Sequence, residues 1–403
     1  MRCRLKVGDT AGKNACATGA TVLKMTKLSF GGHLMFMFVY LNGHSNRAGF
    51  NAYDTMNKNN TIWAVGLICL LTSLAPDVGK AEQYRFLKEI PVGGEGGWDY
   101  LTVDAAGRRL YVSHGAKVVV IDIDKDAIVG EIADTPGVHG VAVAADLGRC
   151  FSSNGQENKA SIVDLKTLQT LSKVETGKNP DGMLYEPGQQ EVYMFNGRGA
   201  SATVIDAKSG KVVATVPLEG KPEFGTADTQ AGRVYDNLED KSEVVAIDTK
   251  THQVVNRWPI APGEEASGMA IDVEHHRLFL GCGNKKMVMV DSTNGKVVAE
   301  VPIGQGVDAN AFDPGTQLAF ASCGDGTVTI AHEDAPDKLS VVQKLTTEPR
   351  ARTMTLDPKT HRIYLASAKF EAPSQDGGQR QRPRVVPGSF KILVYGMEQA
   401  GAK

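Results

Sequence analysis

Seven polar residues recur at one position of a repeated unit, and they are the chain's best candidates for chemistry. They are Asp99, His139, Asp181, Glu223, Ser267, Asp308 and Arg352, spaced 40 to 44 residues apart. Each stands five residues before the start of a turn, and four of the seven are acidic. A second set, His114, Asn154 and Asn196, closes the next apolar run, where the other units place Leu238, Cys282, Cys323 and Ser367. In an antiparallel meander, one strand begins on the face where the next one ends, so both sets converge on one face. A concave ring of this kind could seat a small polar ligand or a protein partner. His114 and His139, with Asp99 and Asp181, could instead hold a divalent metal. No short ligand spacing such as H-E-x-x-H accompanies them, and no cofactor is required.

The elements that must position these residues are legible as a repeat. The runs LYVSHG, CFSSNG, VYMFNG, VYDNLE, LFLGCG, AFASCG and IYLASA centre on Tyr111, Phe151, Tyr193, Tyr235, Phe279, Phe320 and Tyr364, at spacings of 40, 42, 42, 44, 41 and 44. Seven units of this period specify a propeller or a solenoid. Within a unit, four short runs rich in Val, Ile and Tyr are separated by Gly- and Asp-bearing turns, which reads as a four-stranded antiparallel blade. The fold class expected is all-β, a seven-bladed β-propeller. The last unit offers three strands only, ending at Tyr395, and Tyr84–Val92 is expected to supply the fourth. Such closure removes an open sheet edge.

Most other polar residues have structural explanations. Asp104, Asp228, Asp272, Asp313 and Asp357 start first turns, and Asp122, Asp164, Asp206, Asp248 and Asp291 end third strands. Asp at such places caps backbone N–H groups two residues on. His275, His276 and His361 fall in the first-turn loops and are read as solvated. Cys282 and Cys323 hold equivalent places in neighbouring units, too far apart for a bridge. Cys150 is read as a small core residue. Residues 371–388 (EAPSQDGGQRQRPRVVPG) form a loop insertion in the last blade, on the face of the polar ring. It would bring Arg380, Arg382 and Arg384 beside an acidic mouth.

The front of the chain has a different character. Residues 56–81 have the pattern of a secretory signal peptide: Lys58, the apolar run from Ile62 to Ala75, then Gly79-Lys80-Ala81. Residues 1–55 are read as a non-native or disordered extension, and residues 82–397 as the propeller. The expected location is therefore periplasmic or secreted. No apolar run reaches the ~18 residues of a membrane span. The first 81 residues hold nine of the 44 basic and three of the 46 acidic residues, so the remainder carries a net charge of −8. That charge disfavours nucleic acid as a partner. The chain is expected to be monomeric.

LYVSHG, CFSSNG and VYMFNG resemble the Y-V-T-N-G signature of the YVTN-repeat, YncE-like β-propellers, and the resemblance extends over all seven units, roughly Gln83–Tyr395. It implies seven blades and export. No unit spells YVTN, and VYDNLE lacks the terminal Asn and Gly. Three functions stay open. The first is an exported, non-catalytic binding or scaffold propeller. The second is a metal-assisted, lactonase-like hydrolase with an axial ion. The third is single-stranded nucleic-acid binding, which the resemblance implies and the net charge opposes. The chain carries no nucleophile elbow, P-loop or dinucleotide fingerprint, which favours a role other than catalysis.

Overall fold

The computed structural model describes residues 24–30, 33–39, 83–371 and 384–397. The chain divides into two compact units, Met1–Gly79 and Lys80–Lys403. In the first, Lys24–Phe30 pairs antiparallel with His33–Val39. The expected signal segment at 56–81 lies outside the described residues, as do most of 1–55 and the middle of the 371–388 insertion, with Arg380 and Arg382.

In the second unit each 42-residue repeat becomes a four-stranded antiparallel sheet, and seven such sheets form a β-propeller. Blade one spans residues 101–132, blade two 138–175, blade three 180–217, blade four 222–259, blade five 266–302 and blade six 307–346. Each runs from the innermost strand to the outermost in chain order. Blade seven takes three strands from residues 354–397, and its outermost strand is Tyr84–Pro91, paired with Lys391–Met397. The innermost strands pack in sequence around the axis, and that of blade seven packs on that of blade one. The predicted closure is therefore present, and the blade count is seven.

The core lies between blades. Seven apolar clusters are buried, one at each junction. The aromatic that marks each repeat is at their centre: Tyr111, Phe151, Tyr193, Tyr235, Phe279, Phe320 and Tyr364 are all at most 2% exposed. Burying one such side chain contributes roughly 1.5–3 kcal/mol, so each junction is held by its own aromatic.

The turn carboxylates cap as expected. Asp104 Oδ1 accepts from the N–H of Ala106 and Gly107, and Asp248 Oδ1 from those of Lys250 and Thr251. Several also bind a neighbouring blade. Arg108 of blade one reaches Asp357 of blade seven at 2.9 Å, and His361 of blade seven reaches Asp313 of blade six at 2.6 Å. His276 of blade five lies 3.7 Å from Asp228 of blade four. The first-turn histidines are thus partners of buried carboxylates, not simply solvated groups. Arg108, His276 and His361 all have φ of 56–57°, and that left-handed turn geometry points their side chains back across the junction.

Every blade also carries an irregularity between its third and outermost strands, for example at Val120/Ile121 and Ala246/Ile247. It falls near the exposed apolar pairs Ile128–Val129, Val212–Val213 and Val341–Val342 of the outer edges. A bulge there twists the edge and discourages pairing with another sheet.

Candidate functional site

A second irregularity positions the mouth of the channel. In blades two to six the innermost strand gains one residue against its neighbour, at Val138/Val141, Pro180/Met183, Pro222/Gly225, Ala266/Gly268 and Val307/Ala309. His139, Asp181, Glu223, Ser267 and Asp308 sit within these bulges. A bulge re-aims a side chain and leaves backbone groups unpaired. Polar side chains of the second strands satisfy backbone groups around the mouth, in the bulged blades and in blades one and seven. Ser113 Oγ accepts from the N–H of Asp99 at 2.8 Å, and Ser153 Oγ from the N–H of Gly140 at 2.9 Å. Asn237 Nδ2 donates to the carbonyl of Gly268 at 3.2 Å, and the Ser322 hydroxyl donates to that of Arg352.

Glycines leave the room. A methyl group on Gly155 would stand 2.6 Å from His139 Nε2, and one on Gly197 would stand 3.2 Å from Asp181 Oδ2. In blades two and three the terminal glycine of the aromatic run therefore keeps the mouth open for the side chain of its own blade.

Asp99, His139 and Asp181 converge. His139 Nδ1 lies 2.7 Å from Asp99 Oδ2 and 3.4 Å from Asp181 Oδ1, so the three offer ligand atoms within 4.8 Å of one another. Burial opposes the charged imidazole, but the Asp99 bond and the charges of Asp181, Asp99 and Glu223 outweigh it and raise His139 above its ordinary value. Burial, then the neighbouring carboxylates Asp99 and Glu223, raises Asp181. Asp308 is pushed up to about 7 by burial, against the pull of Arg352, whose Nε is 3.6 Å from Asp308 Oδ2. Glu223 is also raised by burial, although Lys221 stands 3.0 Å away.

Two cavities meet at the Gly97–Asp99 segment. One, of about 1020 Å³, runs over His139 toward Gln156, Lys178 and Arg198. The other, of about 640 Å³, runs toward Arg350, Arg352 and Phe370. The mouth thus has carboxylates on its floor and exposed cations on its rim. The base of the 371–388 insertion stands here too: Phe370 pairs with Val385, both line the second cavity, and the Arg350 guanidinium lies 4.4 Å over the Phe370 ring. Further along the same strands a small separate cavity of about 40 Å³ lies between Tyr100, Met183 and Phe224. Tyr100 donates its hydroxyl across the channel to the carbonyl of Glu223 at 3.1 Å.

The kinship is to propellers. No family model matches the chain. Protein YncE of Salmonella typhimurium, itself uncharacterised, is 23% identical over 216 residues, which is 50% of this chain and 57% of that relative. The match thus spans little more than half of the relative's length. Among solved structures, a chain of Kuenenia stuttgartiensis hydrazine synthase superposes with a TM-score of 0.59 at 17% identity, over 67% of this chain and 92% of that one. U3-55K superposes with a TM-score of 0.63 at 10% identity, over 78% and 98%. These structural likenesses concern the fold alone.

The second predicted set is placed differently from the first. His114 is 2% exposed and stacks on Phe390 at 4.4 Å, where burial lowers its basicity. It is not in the Asp99–His139–Asp181 group. Asn154 is buried and donates to Glu157 and Ser161, each at 2.8 Å, and Asn196 donates to Ser201 and Thr203. These residues hold the loops that frame the mouth. Cys150, Cys282 and Cys323 are buried free thiols, each pushed up to about 12 by burial.

Sequence reasoning passed over two members of the site, Tyr100 and Asp236. Asp236 is fully buried in the second strand of blade four, with neither oxygen hydrogen-bonded. Burial, then the neighbouring carboxylates Glu223 and Asp181, raises it well above the usual carboxylate range. The signal was an Asp in VYDNLE, at the place where other repeats put Val112, Ser152, Met194 or Leu280.

No helix among the described residues is long and apolar enough to cross a membrane.

Proposed function

We propose that the chain is an exported, monomeric, non-catalytic binding propeller of the YncE-like kind that takes a small polar ligand at its mouth. The convergence of Asp99, His139 and Asp181, the first two lining a cavity of about 1020 Å³ and Asp181 standing against His139, supports this reading. Carboxylates on the floor favour a ligand with a positive group, such as a protonated amine. The exposed Lys178 and Arg198 above them favour one with an anionic group as well, which describes a zwitterion or a charged peptide end. Export rests on the signal pattern at 56–81.

Calorimetric titration of the purified chain with a panel of amino acids, diamines and dicarboxylates tests the proposal. Zwitterions should bind, and Asp181→Asn and Arg198→Ala should each weaken binding by about tenfold or more, the scale of one charge-assisted contact. A panel that binds nowhere, or binding indifferent to both variants, sinks it.

The same three side chains favour a second reading, a divalent ion at the mouth serving a hydrolase. Asp99, His139 and Asp181 would hold the ion, which would polarise a carbonyl or a bound water. Stoichiometric metal lost in Asp99→Asn, with lactone or ester hydrolysis lost alongside, would favour it over the binding reading.

A further inference from the structure

On the face opposite the mouth, the junction of blades five and six breaks a pairing pattern found at three other junctions. Three other junctions place a cationic or protonatable side chain on a first-turn carboxylate: Arg108 on Asp357, His361 on Asp313 and His276 on Asp228. Here a second carboxylate arrives instead. Asp272, at the end of the innermost strand of blade five, faces Glu333 of blade six, and His275 stands against both.

Glu333 occupies a place that no other blade makes acidic. Its N–H bonds the carbonyl of Gln317 at 2.9 Å, as the N–H of Ile123, Leu165, Ala207, Thr249 and Ser292 bond equivalent carbonyls in blades one to five. Those residues are apolar or carry small hydroxyls. Blade six also extends its outer hairpin, with nine residues in each of Thr327–Ala335 and Lys338–Thr346. Glu333 and Asp272 are only 2% and 3% exposed. His275 Nδ1 lies 2.8 Å from Asp272 Oδ2 and 3.2 Å from Glu333 Oε1. Yet His275 Nδ1, Asp272 Oδ2 and both Glu333 oxygens have no hydrogen-bond partner. Three side chains that each bring a ligand atom within 4.8 Å of the others, in close contact but without well-aligned hydrogen bonds, have the arrangement of a ligand set. One imidazole shared between two buried carboxylates balances their charge incompletely, which is costly.

We propose that Asp272, His275 and Glu333 bind a divalent transition-metal cation of the zinc class that ties blade five to blade six. One imidazole nitrogen and two carboxylate oxygens suit Zn²⁺ or its neighbours, with the remaining position left to water. The site is separate from the mouth and uses none of its residues. Its role is structural, supplying at this junction the positive charge that Arg108 supplies at another.

Zinc titration of chelator-treated protein, followed by calorimetry and melting temperature, tests the assignment. Wild type and Asp181→Asn should each bind one zinc at this site, and zinc should raise the melting temperature of both. Glu333→Gln should lose that zinc, its affinity falling by more than the ~10–100-fold that removal of a ligand's hydrogen-bond partner costs. Its melting temperature should then ignore zinc. Glu333→Gln removes a buried charge, so it should fold; His275→Asn is the second variant and should behave alike. Zinc retained in both variants, or no zinc bound by wild type at micromolar concentration, overturns the proposal. Zinc lost in Asp181→Asn but kept in Glu333→Gln assigns the metal to the mouth and also overturns it.

Discussion

Asp308 shows how one residue at the mouth couples stability to pH. Its carboxyl is held at about 7 against an ordinary value of 3.8. The folded protein therefore keeps a proton that the unfolded chain releases between these values. The stability it contributes is complete below about pH 4 and is lost as pH rises through 7, with a limiting slope of about 1.4 kcal/mol per pH unit. Denaturant midpoints measured from pH 4 to 8 should fall over that window, and Asp308→Asn should flatten the fall; an unchanged profile would show that Asp308 titrates normally. Asp308 and its six counterparts were legible in the sequence because each lies a constant five residues before a turn. Asp236 was not, because it lies inside an apolar run and only the third dimension brings it near Glu223 and Asp181. The pairs His361–Asp313 and Arg108–Asp357 were hidden for the same reason, being 48 and 249 residues apart.

At the scale of the element, the bulges of the innermost strands decide what the ring residues can do. They were invisible beforehand, because one added residue near a loop does not disturb a repeat whose period already varies by four. The glycine that ends the aromatic run was visible, but its purpose was not. Gly155→Val should push the His139 ring off Asp99, so the imidazole titration followed by NMR should move down from its raised position toward 6.5. Overpacking of this kind costs roughly 1–3 kcal/mol, which a melting curve will read. A folded Gly155→Val protein with an unmoved His139 titration would refute this account of the motif.

The propeller unit is one closed circuit of seven blades, and its blade count and closure were legible before any coordinates. Tyr84–Pro91 is the piece that closes it: Tyr84 is buried against Phe320, with ring centroids 5.1 Å apart, and donates its hydroxyl to the carbonyl of His361 at 2.6 Å. Removing residues 82–93 should therefore lower the urea midpoint of the entire propeller in one transition, seen alike by far- and near-ultraviolet circular dichroism. A truncated protein that lost only one strand's worth of signal, with its main transition in place, would mean that each blade stands alone.

The lock at the seam also orders events in time. Its first-made strand has no partner until Lys391–Met397 has been synthesised, some three hundred residues later. A growing chain on a ribosome, or one threading through a translocation pore, therefore has a raw sheet flank at either end throughout. Anything that bound Lys391–Met397 before the early strand arrived would trap the molecule as an open arc. A cell that makes this protein must keep both flanks covered until they meet.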